Sequence, residues 1–204
     1  MPHECRNKVI ITHTNSSKVE DAVDAFRHQN LHNYFIPVPS VTESCSVISA
    51  FALAAKLQEQ KMNKVKTAKS KEKGWRDFRF EHWGCRFDVG DPNIGTDSVE
   101  TMKFKLDDGT EMMQASFEYF TDWYPPIGVY RAMYNAGFEV TAYYFEPLEG
   151  MGGIFRNGRD TRKKLEIEKF AAGNNGNGQR FGPRNARDYF GSELDDHLHV
   201  GQYY

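Results

Sequence analysis

The sequence predicts a single α+β domain built on one antiparallel sheet, and three observations predict it. A β-branched run, residues 8–14 (KVIITHT), is followed at once by an amphipathic helical pattern over 16–29 (SSKVEDAVDAFRHQ). An Asp-Gly turn in 107–110 (DDGT) separates two segments of strand character. A second helical pattern, 126–137 (PIGVYRAMYNAG), leads into another alternating segment, 138–146 (FEVTAYYFE).

Each element has a local reason. Residues 8–14 are apolar on both faces, which suits a central strand. In the helix that follows, Val19, Ala22, Val23 and Phe26 fall on one face, and Ser17 and Glu20 have capping-box spacing. The prolines in 35–40 (FIPVPS) require an extended path. Ser40 and Glu43 repeat the capping-box spacing, which predicts a long helix with an apolar first half (Val47, Ile48, Phe51, Ala52, Ala55). Its second half, 56–79, carries nine basic residues against three acidic ones.

In 99–106, Met102, Phe104 and Leu106 alternate with Thr101, Lys103 and Lys105, so this segment reads as a strand, and 112–121 as its hairpin partner. Pro126 opens the second helix and Gly137 stops it. In 138–146, Phe138, Val140, Ala142 and Tyr144 form the apolar set.

The resulting order is β-α-(helical insert)-β-β-α-β, the ferredoxin-like split βαβ arrangement, with four antiparallel strands and two helices packed on one face. Residues 1–170 form this domain, with the insert at about 35–97. Residues 171–204 form the tail: a Gly/Asn-rich flexible loop over 171–185, then an aromatic segment able to dock back.

Composition narrows the function. The 204 residues carry a formal net charge of −2, which excludes a protein basic all over that coats nucleic acid. Cys5, Cys45 and Cys85 are too far apart for a CxxC zinc site and odd in number, so reduced thiols in a cytoplasm are expected. The polar N-terminus lacks an apolar signal core, and the longest apolar run, 47–57, is too short to span a bilayer.

Three stretches stand out: 81–88 (EHWGCRFD), 120–127 (FTDWYPPI) and 144–153 (YFEPLEGMGG). Together they resemble the YubB-like family of phages and plasmids, whose members carry an Asn-Trp-Gly-x-Lys-Trp-like, a Thr-x-Trp-x-Pro-Pro and a Tyr-x-Glu-Pro-Gly-Met-like motif in that order. The resemblance covers roughly residues 5 to 157. The chain departs from the pattern at His82, Arg86 and Phe87, and by the insertion of Leu148 and Glu149 before Gly150. The resemblance implies a ferredoxin-like domain, an origin in mobile elements and no settled biochemical activity. Counteracting a host defence is an expectation that rests on it alone.

The candidate binding residues are Trp83, Arg86, Asp122, Trp123, Tyr124, Glu146 and Arg156. Two readings of the WYPP turn stand side by side. Trp123 plugs the core end while Pro125 and Pro126 set the helix angle, or Trp123 and Tyr124 form a ligand-facing lip. Convergence of Arg86, Asp122 and Glu146 would make either a charged pocket for a planar polar ligand or an internal tether for the insert. Gly150, Gly152 and Gly153 read as a turn, since neither P-loop nor GxGxxG spacing is present. Arg156, Arg159, Arg162, Lys163 and Lys164 form a basic strip, either a solvated face or a surface for an acidic partner or nucleic acid.

No catalytic set, metal site or cofactor is indicated. His82 and Cys85, or His197 and His199, supply too few ligands for a metal, and no GxSxG elbow exists. The expected protein is a non-enzymatic binder of a host macromolecule, a host protein before any other. A nucleotide or nucleic-acid binder is the alternative, and a hydrolase on the same residues a more distant one.

Overall fold

β1 (Glu4–His13) is a central strand of the computed structural model, which describes residues 4–39, 74–90, 97–164 and 190–200. Cys5, Asn7, Val9 and Ile11 alternate into one face and are buried. The strand begins before residue 8 because Cys5, Arg6 and Asn7 pair with one neighbouring strand, and Arg6 and Asn7 with the other as well.

α1 (Ser16–Arg27) buries Val19, Ala22, Val23 and Phe26, the expected face. Its cap is Asn15, whose side chain accepts from the Ser17 N–H at 3.0 Å, so Ser17 lies inside the helix and is not its capping residue. A short α2 (Leu31–Phe35) follows, where the sequence suggested only an extended bend from Phe35. Asp88, distant in sequence, accepts from the N–H groups of His32 and Asn33 at 2.7 and 2.9 Å and so supplies the N-terminal cap of α2. The long helix expected after Ser40 lies largely outside the described residues; α3 (Trp75–His82) occupies the end of that span.

β2 (Ser98–Lys105) and β3 (Glu111–Asp122) form the hairpin expected around Asp-Gly. β3 sends Met113, Ala115, Phe117, Tyr119 and Thr121 into the core. β2 is an edge strand and stays exposed: Met102 is 52% and Leu106 46% accessible, so the apolar set of this strand is not core. α4 (Ile127–Asn135) buries Val129, Tyr130 and Met133 and stops at Gly137, whose φ is +95°.

β4 (Glu139–Glu146) lies beside β1, and β5 (Met151–Arg156) and β6 (Arg159–Lys164) extend the sheet beyond it. The predicted glycine turn is corrected here, because Gly152 and Gly153 lie within β5. A Cβ on Gly153 would sit 2.3 Å from the Tyr144 hydroxyl oxygen and 2.7 Å from the Thr161 carbonyl oxygen, so glycine is required by space.

The architecture is therefore a mixed α+β arrangement with one antiparallel six-stranded sheet in the order β2-β3-β1-β4-β5-β6 and, among the described residues, five helices. α1, α2, α4 and the Trp83 region share one core with Val9, Ile11, Phe117, Ala142 and Phe155. The opposite face of β4 and β5 is covered by α5 (Ser192–Leu198): Phe190, Leu194, Leu198 and Val200 pack on Tyr143, Phe145, Ile10 and Ile154. This explains why β4 is buried on both faces. The Gly/Asn-rich 171–185 lies outside the described residues. Among the described residues, no helix is long and apolar enough to cross a membrane.

Candidate functional site

The first two motifs meet backbone to backbone. Gly128 donates its N–H to the Trp83 carbonyl at 3.1 Å. A Cβ on Gly128 would lie 1.7 Å from the His82 carbonyl oxygen, and one on Gly84 (φ +96°) would lie 2.9 Å from that of Pro125. These close approaches seat Trp83 fully inside the core, its indole N–H donating to the Ile36 carbonyl at 2.9 Å. The core plug is thus Trp83. Trp123, for which that role was one reading, is 41% exposed.

Asp122 joins the same knot by accepting from the peptide N–H of Arg86 at 2.8 Å. Burial holds its carboxyl above the usual carboxylate range against hydrogen bonds from the Arg86 and Phe87 peptides. The insert is therefore tethered to the sheet through backbone N–H groups. The Thr121 hydroxyl donates to the Tyr124 carbonyl at 2.8 Å, which fixes the turn from below.

Glu146 is fully buried at the end of β4 and accepts from the N–H groups of Leu148 and Glu149, closing its own turn. Lys164 reaches Glu149 at 2.9 Å and lies in the electrostatic field of Tyr124 and Glu146, so this end of the sheet adjoins the WYPP turn. Arg156 lies elsewhere. It points to the face covered by α5, where it pairs with Glu193, which also accepts from the Tyr143 hydroxyl at 3.1 Å. Of the seven candidates, Trp83, Arg86, Asp122, Trp123 and Tyr124 belong to one neighbourhood, Glu146 borders it, and Arg156 does not.

Beneath this region lies a buried polar layer that no local sequence signal reveals. The Tyr130 hydroxyl donates to Asn7 Oδ1 at 2.7 Å, and Asn7 Nδ2 donates to Thr121 Oγ1 at 2.9 Å. His32 is buried edge-on to the rings of Trp83 and Tyr119, with Nδ1 3.1 Å from the Phe87 carbonyl and 3.6 Å from Cys85 Sγ. Cys85, His32 and Asp88 superficially suggest a nucleophilic set. Burial pushes the Cys85 thiol well up and the His32 imidazole down, so both are neutral groups sealed from substrate. Among the described residues no group of three or more potential ligands could hold a metal ion. His82 is exposed and lies against Phe78, and His197 stacks on Tyr143.

Above this layer the surface is aromatic. Trp75 is 47% and Phe80 48% exposed, and Phe80 faces Tyr124 with ring centroids 6.1 Å apart. The Arg79 guanidinium lies 4.7 Å over exposed Trp75 and 4.6 Å over buried Trp83, bridging surface and core. Trp123 has φ +64°, a left-handed conformation unusual for a bulky residue, and this conformation accompanies an exposed indole. Two cavities, of about 250 and 300 Å³, are lined by residues of α1, β2, β3 and the β1–α1 turn, and neither is lined by a motif residue. Comparison with known protein families, curated proteins and solved structures finds no match for this chain.

Proposed function

We propose that this chain is a non-enzymatic binding protein whose aromatic rim, made by Trp75, Phe80, Trp123 and Tyr124 with Arg76 and Arg79, engages a host protein. The observation that carries this reading is Trp123. A bulky residue in the left-handed region costs on the order of 1–2 kcal/mol, and such strain, held in place by the surrounding structure, clusters at functional sites. Aromatic and arginine side chains are also those that dominate protein interfaces. Charge on α3 is mixed, Arg76 and Arg79 against Asp77 and Glu81, which suits a protein partner better than a phosphate backbone.

The same proposal takes β1, α1, β2, β3, α4 and β4 as a ferredoxin-like core to which the β5–β6 hairpin is added. Its support is the strand order β2-β3-β1-β4 with antiparallel neighbours and both long helices in one core. A mobile-element origin, action in the host bacterial cytoplasm and a counter-defence role rest on the three-motif resemblance.

The test is affinity capture from bacterial lysate, with each captured protein then purified and titrated against wild type and a Phe80→Ala, Trp123→Ala variant. The reading expects a direct protein complex that the variant weakens by about tenfold or more. It is overturned if the variant binds equally well. Ligand-dependent quenching of tryptophan fluorescence by single-stranded nucleic acid, lost with rising salt, would instead support the nucleic-acid alternative.

A further inference from the structure

β6 closes one side of the sheet, and among the described residues no strand lies beyond it. Its six residues, Arg159–Lys164, include four cations and one acid. The Asn157-Gly158 turn, both residues at positive φ, pairs Arg156 with Arg159. In a two-residue hairpin this closing pair is hydrogen-bonded, so the backbone groups of Asp160, Arg162 and Lys164 point away from β5.

The side chains alternate as well. Arg159 and Lys163 lie on the α5 side of the sheet, and Arg162 and Lys164 on the other. Cations on both sides of a strand edge do not make the single continuous face that tracks a phosphate backbone. They do match an added strand, whose side chains also alternate up and down. Carboxylates of the chain itself already approach this hairpin from both sides: Glu149 meets Lys164 at 2.9 Å, and Glu193 meets Arg156.

Ion pairs occur at both edges, Arg162 with Asp160 at 3.6 Å in β6 and Lys103 with Glu20 and Lys105 with Glu111 at β2. The balance of charge differs, since β2 sets only Lys103 and Lys105 against Glu100. Mixed charge of that kind is enough to discourage unwanted pairing. The excess of positive charge on β6 goes further, since it repels basic strands and favours acidic ones. We propose that the β6 edge accepts an extended acidic peptide segment as a seventh strand, by strand addition. The Lys164 end of β6 adjoins the WYPP turn, but the rim variant Phe80→Ala, Trp123→Ala changes no residue of β6 and leaves its backbone edge intact.

The test uses the full chain and a fluorescein-labelled peptide of alternating glutamate and valine, followed by fluorescence anisotropy. Binding is expected, weakened by salt and absent for the matching lysine–valine peptide. Methylating alternate backbone nitrogens of the peptide keeps its charge but removes one edge of donors, and this should weaken binding by about tenfold. Arg159→Glu with Lys163→Glu should do the same. Failure of the acidic peptide to bind, equal binding of the methylated peptide, or tighter binding of single-stranded DNA of equal charge would each overturn the proposal.

Discussion

The two tryptophans nearest the first two motifs have opposite fates. Trp83 fills the core and hydrogen-bonds Ile36, whereas Trp123 stands at the surface on a left-handed backbone. Trp83→Ala should therefore cost about 3–5 kcal/mol in urea unfolding. Trp123→Gly should cost little or stabilise, because glycine relieves the positive φ. The sequence does not say which tryptophan is buried. Both belong to short motifs that hold glycine or proline, and the choice is made by the approach of Gly128 to the His82 carbonyl, a contact between residues 46 positions apart in the chain. Asn7, Tyr130 and His32 are equally silent, since a buried polar network has no local period. His32 does carry a pH signature. Its folded-state pKa lies below that of the unfolded chain, so unfolding takes up a proton once the pH falls below about 6.5. The stability it contributes is present above that pH and is lost as pH falls toward the folded pKa. Asp97, raised by burial to about 6, acts in the opposite direction. The difference between wild type and His32→Gln, measured by urea unfolding at pH 7.5 and 5.5, isolates the histidine: wild type should lose more stability than the variant on acidification. An equal loss would contradict the assignment.

At the scale of elements, what was legible was local. The apolar face of α1, the Asp-Gly hairpin and the Pro126-to-Gly137 helix all follow from spacing within one turn or one strand. β5 and β6 were missed although Asn157-Gly158 is a strong hairpin signal, because Gly152 and Gly153 read as a loop. Their true cause is Tyr144 and Thr161 on one face and Phe190 and Leu194 on the other, all distant in sequence or on a neighbouring strand. β4 shows the same effect, since its second buried face exists only once α5 is in place. Leu194, almost fully buried on that face, is the test. Leu194→Ala should cost about 2–5 kcal/mol and expose Tyr143 and Phe145 to an apolar dye. A loss within about 0.5 kcal/mol would mean that α5 adds nothing to the fold.

For the whole molecule, the sheet separates two tasks. One face carries the main core, and at its end the Trp83 knot supports the aromatic rim; on the other face α5 covers β4, β5 and Ile10 of β1. Of the candidate residues, Trp83, Asp122 and Glu146 are scaffold by geometry: a core plug, a tether for backbone N–H groups and a turn cap. Trp123 and Tyr124 remain at the surface, where Phe80 and Trp75 join them, two residues that motif spacing alone did not single out. The motifs of the sequence do meet at one end of the sheet, Arg156 excepted, while the division between support and surface follows only from packing. The most direct measurement is the affinity of the captured host protein for wild type and for Trp123→Gly, each shown by urea unfolding to be folded. The account predicts a variant at least as stable as wild type that binds about tenfold or more weakly. Undiminished binding by an equally stable variant would contradict it, and would leave the exposed indole without the role assigned to it.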